Sequence, residues 1–187
     1  MTHTSNLPII KTIAVIGAGT AGRSFALACA RTGFHVVLED VMPANLRRAQ
    51  DDYSSIASAS GSLSTALTVE DAVRNADLAV DFVPDELESK LEIFSMLDRM
   101  APPRTILLTP SDAQSITDLA SCTYRPDRCF AIRGGLIPGS PAHLVHPPGF
   151  DAHAFAATKD FLAALHCTVN VELDPVAPML LKNNPQG

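Results

Sequence analysis

Basic residues are in short supply: 14 Lys and Arg stand against 20 Asp and Glu in 187 residues, a formal net charge of −6. With no basic run either, that balance excludes a broad electrostatic footprint for nucleic acid or an anionic membrane surface, while a local basic pocket stays compatible with it. Aromatic residues are scarce at 5%, so Ala, Val, Ile and Leu have to build the core. No apolar run reaches the roughly 18 residues of a membrane-spanning helix. The opening MTHTSNLPIIK lacks the charged start and long apolar block of a secretion signal, and a cytoplasmic protein is expected. There are four cysteines, Cys29, Cys122, Cys129 and Cys167, with no C-x-x-C pair and no spacing to His that fits a zinc site. No metal is therefore expected, and the thiols read as buried and free. Cys122 and Cys129 have Arg125 and Arg128 nearby, the neighbours that could lower a thiol pKa.

What is present is an ordinary globular composition, 47% apolar and 18% charged, in a length that suits a single domain over residues 1–187. Short β-branched runs alternate with helical stretches, which predicts an α/β fold of the Rossmann type: a doubly wound, mostly parallel sheet. Strands are expected at TIAVIG, HVVLED, ALTV, LAVDFV, within APPRTILLT, at RCFAI and at CTVNVEL. Helices are expected at Thr20 to Arg31, Met42 to Ser58, EDAVRNA, Asp85 to Met100, SITDLA and Ala152 to Leu165, with SASGSLS as loop. RGGLIPGSPAHLVHPPG, crowded with Gly and Pro, reads as an irregular active-site loop.

Gly17, Gly19 and Gly22 form G-x-G-x-x-G, and here the motif follows a strand, opens a helix and sits in a βαβ unit. Gly17 permits the tight turn, Gly19 lets backbone approach a pyrophosphate, and Gly22 lets helix and strand pack closely. Thr20 and Ala21 then present helix N–H groups to the phosphates. An acidic residue should follow the second strand to accept the ribose hydroxyls, and VVLED supplies Glu39 and Asp40, with Asp40 preferred as the strand's last residue. Its carboxylate would repel a 2′-phosphate, and Arg47 lies seven residues on, so NAD is expected rather than NADP. A flavin dinucleotide, or a glycine turn that binds nothing, would share the fingerprint.

IAVIGAGTAGRSFALACARTGFHVVLEDV, ADLAVDFVPDELESKLEIFSMLDRMAPPRTILLT and SITDLASCTYRPDRC resemble the amino-terminal NAD-binding domain of the 3-hydroxyacyl-CoA dehydrogenases over about residues 11 to 130. The resemblance implies that Val83, Pro84 and Asp85 touch the nicotinamide half of the cofactor. It also implies that Lys90 is a basic group near cofactor or acyl-CoA, the alternative being a salt bridge within its own helix. It further implies a catalytic His oriented by a Glu, with a Ser and an Asn polarising the substrate oxygen. Those positions differ here. The family's Ser-Asn-Thr-Ser-Ser is TPSDA, with Pro110 for the Asn and Asp112 or Ala113 for the Ser; the His is Arg133; and Leu-Val-Glu is LVH, which puts His146 at the orienting carboxylate after a one-residue insertion. The family continues with a helical second domain that closes its cleft and makes its dimer; DPVAPMLLKNN aligns only loosely with the linker to that domain, and no role passes to Asn183 or Asn184.

An Arg stays protonated and cannot serve as the base. The residues left around the mapped cleft are Asp112, Arg133 and His146, with His143 close in sequence. Arg133 could clamp a carboxylate, and His146 or His143 could exchange the proton, giving an oxidoreductase for a hydroxy acid or acyl thioester. The plainer readings are Arg133 on a surface carboxylate, solvated histidines, and Asp112 capping a helix that starts near Ala113 or Ser115. Two other functions remain open: a non-redox isomerase, lyase or cyclase on the same scaffold, and a catalytically silent NAD-binding partner subunit. A homodimer is expected, joined through VAPMLLKN, because a cleft open on one side would leave hydride transfer exposed to water.

Overall fold

The computed structural model describes residues 9–180. Its elements run β1 (Thr12–Ile16), α1 (Thr20–Thr32), β2 (His35–Glu39), α2 (Pro43–Ser54), β3 (Ser62–Ala66), α3 (Val69–Val73), β4 (Leu78–Asp81), α4 (Leu87–Met100), β5 (Ile106–Pro110), α5 (Ile116–Ser121), β6 (Cys129–Arg133), β7 (Pro141–His146), α6 (Ala152–Ala164) and β8 (Thr168–Leu173). The eight strands form one sheet in the order β3-β2-β1-β4-β5-β6-β7-β8, parallel throughout except where β7 runs against β6. Order reverses at β1, the switch point at which an open α/β sheet leaves a crevice beyond its strand ends.

The central strands are apolar because both their faces are covered. Ile13, Val15, Leu78, Val80, Leu108, Phe130 and Ile132 face one core with α1 and α6, while Ala14, Ala79, Leu107, Cys129 and Ala131 face the other with α3, α4 and α5. α1 ends where Gly33 turns left-handed (φ 116) and donates its N–H back to Ala30.

The sheet departs from the sequence reading in two places. The third strand is Ser62–Ala66, which begins in the stretch read as loop and takes in only the first residue of the expected strand Ala66 to Val69. Thr68 and Val69 instead start α3, since the Thr68 hydroxyl accepts from the Asp71 N–H and caps that helix. The second departure is β7, a regular strand inside the segment read as irregular. Its Ala142 and Leu144 are buried and alternate with exposed Pro141 and His143, a period of two that the surrounding Gly and Pro obscured.

Among the described residues no helix is long and apolar enough to cross a membrane.

Candidate functional site

The glycine loop has the geometry its spacing implies. Gly17 sits at φ 97 and donates its N–H to the Glu39 carbonyl at 2.9 Å, tying the loop to β2. A Cβ on Gly22 would lie 1.9 Å from the Gly17 carbonyl oxygen, so only glycine lets α1 start this close to β1. A Cβ on Gly19 would meet nothing within 4 Å, which leaves an open approach to the loop. The first turn of α1 has no side-chain cap and no acidic residue, with Thr20 and Ala21 exposed. Uncapped N–H groups at the positive end of a 13-residue helix suit a pyrophosphate.

Asp40 lies one residue past β2. Its Oδ2 accepts from the Ala18 N–H at 2.8 Å and the Asn45 amide at 3.1 Å, and its Oδ1 from the Met42 N–H at 2.7 Å. Partial burial works against ionisation, but these hydrogen bonds outweigh it and hold the carboxyl below the usual carboxylate range. Glu39 is 5% exposed, and burial with the Asp40 charge pushes its pKa up, so Asp40 is the better acceptor of the two. A cleft of about 300 Å³ opens beside them, walled by Val41, Val69, Val83, Pro84, Ile93 and Met96, apolar enough for an aromatic base.

Further along the sheet, the loops after β4, β5 and β6 are laced together. The Asp85 carboxylate accepts from the Ser111 hydroxyl at 2.5 Å and from the Asp112 and Ala113 N–H groups at 2.9 and 3.2 Å. Burial opposes its ionisation and these donors outweigh burial, so its carboxyl too is held low. Asp112 accepts the Gly134 N–H at 2.7 Å through Oδ1, bridging to the next loop; the helix cap expected of it is made by Ser115, whose hydroxyl accepts from Asp118.

Lys90 forms no salt bridge within its own helix. Its ammonium is 1% exposed and donates to Asp81 on β4 at 2.7 Å and to the Pro110 carbonyl at 3.1 Å, a buried pair beneath the loops. Nor is the Arg133 guanidinium a free clamp. It donates to the carbonyls of Ser111 and Gln114 and lies 3.6 Å from Asp174. Asp174, 2% exposed at its side chain, was missed by sequence reasoning. It also accepts from the Ser115 and Thr117 hydroxyls and the Thr117 and Val176 N–H groups, while Asp118 accepts from Met179 and Leu180. Together they bind the segment after β8 onto α5. Nothing short of this fold marks Asp174, whose partners Arg133, Ser115 and Thr117 lie 40 to 60 residues away.

The histidines separate. In the antiparallel β6–β7 pair Arg133 stands opposite His143, so the two share a face at the end of β6. His146, three residues on, points to the other face, where its ring meets Phe150 and Phe155 edge-on and its Nδ1 lies 2.8 Å from the Pro147 carbonyl. The structure does not bring His146 to Arg133 and Asp112. An odd step along a strand reverses the face, which the alignment with a one-residue insertion could not display.

Cys29, Cys129 and Cys167 are buried and Cys122 half-buried, all as free thiols. Burial raises the Cys122 pKa and pushes that of Cys129 up to about 12, despite Arg125. Among the described residues no His, Cys, Asp and Glu cluster could hold a metal ion.

The sequence profile of the 3-hydroxyacyl-CoA dehydrogenase NAD-binding domain matches residues 12–146. The chain belongs to this family. Its cofactor is NAD, and the glycine loop, α1 terminus and Asp40 are the parts of this chain that fit it. A probable 3-hydroxybutyryl-CoA dehydrogenase of Bacillus subtilis is 33% identical over 134 residues, 64% of this chain and 46% of the relative. A 5-formyl-3-hydroxy-2-methylpyridine 4-carboxylate 5-dehydrogenase of Mesorhizobium japonicum is 30% identical over 149 residues, 73% of this chain and 47% of the relative. The chain thus spans about half the length of these relatives. The fold matches a solved dehydrogenase for the latter substrate, described as an NAD+ dependent dismutase, with TM-score 0.77 and 24% identity over 94% of this chain and 61% of the other. A diketoreductase gives TM-score 0.76 at 22% identity over 92% and 68%.

Proposed function

We propose that this chain is an NAD-dependent oxidoreductase for a hydroxy-acid or acyl-thioester substrate, with its proton-transfer group moved to His143. The observation that carries the reading is the register that sets His143 opposite Arg133, at the strand end where the family's His is replaced. Val83 and Pro84 wall the cleft beside Glu39, the Asp85-stapled loop after them forms the floor for the nicotinamide half, and Asp112 stands at the rim. NAD held by the glycine loop and Asp40 would supply the hydride acceptor for the substrate carbon. His143 accepts the hydroxyl proton, since an imidazole exchanges protons near neutral pH. Arg133 holds the loop of Ser111 and Gln114 in place rather than binding substrate. His146 packs against phenylalanines and has no part in this scheme.

The test is reduced-nicotinamide absorbance with 3-hydroxybutyryl thioesters and free hydroxy acids, using His143→Gln and His146→Gln. Loss of about 10²-fold or more in His143→Gln alone supports the assignment. Equal loss in both variants overturns it. NAD binding without turnover of any substrate would instead favour the silent-subunit reading, which the full commitment of Arg133 and Lys90 also supports.

We further propose a homodimer in the cytoplasm. Four free thiols suit a reducing compartment. Met179 and Leu180, 61% and 39% exposed, offer apolar surface; Leu181, Lys182 and Asn183 of VAPMLLKN, with Asn184, lie outside the described residues. Light scattering of the purified chain decides the mass.

A further inference from the structure

Asp40 is already held by three donors before any ligand arrives. Its Oδ2 accepts from the Ala18 N–H in the glycine loop and from the Asn45 amide, and its Oδ1 accepts from the Met42 N–H. An ionised carboxylate offers about four lone-pair sites, so a single one remains, on Oδ1. The adenosine ribose of a dinucleotide presents two neighbouring hydroxyls, each a donor. Asp40 can accept one of them and has no lone pair left for the other. Glu39, the acid beside it, is 5% exposed, and burial disfavours its charged form, which makes it a poor second acceptor.

Asn45 carries an acceptor at the right place. It lies in the first turn of α2, half-buried, with its backbone N–H donating to the Met42 carbonyl at 3.0 Å. The carboxylate fixes how its side-chain amide is turned. The NH2 group must face Asp40 Oδ2, because the amide oxygen in that place would meet a negative oxygen with no proton between them. The Asn45 side-chain oxygen is therefore the end of the amide turned off the carboxylate, and among the described residues no donor reaches it. One acid short of a lone pair and one amide oxygen short of a donor thus stand side by side next to the glycine loop.

We propose that Asn45 is a second ribose-reading residue: its side-chain oxygen accepts the adenosine ribose hydroxyl that Asp40 cannot take, while its amide N–H holds the Asp40 carboxylate for the other. The two side chains divide the ribose, one hydroxyl each. This inference rests on NAD in the glycine loop and is independent of His143 and of the substrate turned over.

The experiment titrates the purified full chain calorimetrically with NAD and with its 2′-deoxyadenosine and 3′-deoxyadenosine analogues, in wild type, Asn45→Leu and Asp40→Asn. Leu keeps the bulk of Asn45 over Oδ2 and offers neither donor nor acceptor. Asn45→Leu should bind NAD about tenfold more weakly, one hydrogen bond's worth. It should bind one of the two analogues within about twofold of wild type, because that analogue lacks the hydroxyl Asn45 serves. Asp40→Asn should show the same indifference toward the other analogue. Without NAD, the Asp40 carboxyl pKa followed by nuclear magnetic resonance should rise in Asn45→Leu, since a donor to the charged form is gone. An unmoved Asp40 pKa would overturn the proposal, because the carboxylate would then not be orienting the amide. So would a loss that persists with both analogues, or one cancelled by the same analogue in both variants, either of which leaves Asn45 as a support for Asp40 alone. NAD bound by wild type and equally by Asn45→Leu removes this inference only, whereas a wild-type chain that binds no NAD removes the cofactor reading beneath it.

Discussion

Replacing Lys90 by Met separates a structural lysine from a cofactor ligand. The Lys90 ammonium and the Asp81 carboxylate are 1% and 0% exposed and 2.7 Å apart, so the substitution strands a carboxylate where water cannot reach it. Removing one partner of a buried pair costs about 3–5 kcal/mol. In a domain of this size that lowers Tm by roughly 6–20 °C. The Pro110 carbonyl also loses its donor, at the start of the loop that Asp85 staples. Asp81→Val combined with Lys90→Met should recover at least half of the loss, because the orphaned charge goes with its partner. Urea unfolding gives the stability, and calorimetric titration at a temperature where both proteins are folded gives NAD affinity, which should stay within about threefold of wild type.

The pH dependence carries its own sign. Burial pushes the Asp81 carboxyl up, and Lys90 pulls against that shift; Met at position 90 removes the pull, so the folded pKa climbs further above the unfolded value near 3.9. A carboxyl whose folded pKa is raised favours the folded state when protonated and loses that support as pH rises through the folded pKa. The deficit of Lys90→Met should therefore be largest near pH 8 and shrink toward pH 5. A variant of wild-type stability that binds NAD tenfold more weakly would refute the structural assignment.

Gly19→Ala should fold with unchanged Tm, because the added carbon meets no atom within 4 Å, yet lose NAD binding in calorimetry; Gly22→Ala should lose both, since its carbon is driven into the Gly17 carbonyl. Asp40→Asn should weaken NAD about tenfold by removing an anionic acceptor. Its wild-type carboxyl pKa is depressed, so the stability difference between the two proteins should be full above about pH 4 and vanish as pH falls through the folded pKa, read by thermal melts across pH. Arg133→Met leaves the Ser111 and Gln114 carbonyls short of a donor and Asp174 without its cation; about 1–3 kcal/mol should be lost, with faster amide exchange across residues 174–180. Exchange unchanged there would show that Asp174 is anchored by Ser115 and Thr117 alone.

The cofactor half of the site is legible in the sequence because everything it needs is local. The apolar run of β1, the three glycines and the acid after β2 lie within 30 residues, and both the left-handed turn at Gly17 and the close approach of Gly22 to the Gly17 carbonyl arise inside that span. The substrate half depends on register, which one chain read alone does not display. Arg133 and His146 map to one cleft by resemblance, but pairing sets Arg133 against His143, and the odd step to His146 turns its ring onto the phenylalanines of the far face, roughly 10 Å along the strand. Lys90 has no acidic partner on its own helix because its partner is a strand residue nine positions earlier. Asp174 reads as the start of a linker and is in fact the acceptor that joins Arg133 to α5. In each case the unreadable step is a contact between strands or loops far apart in sequence.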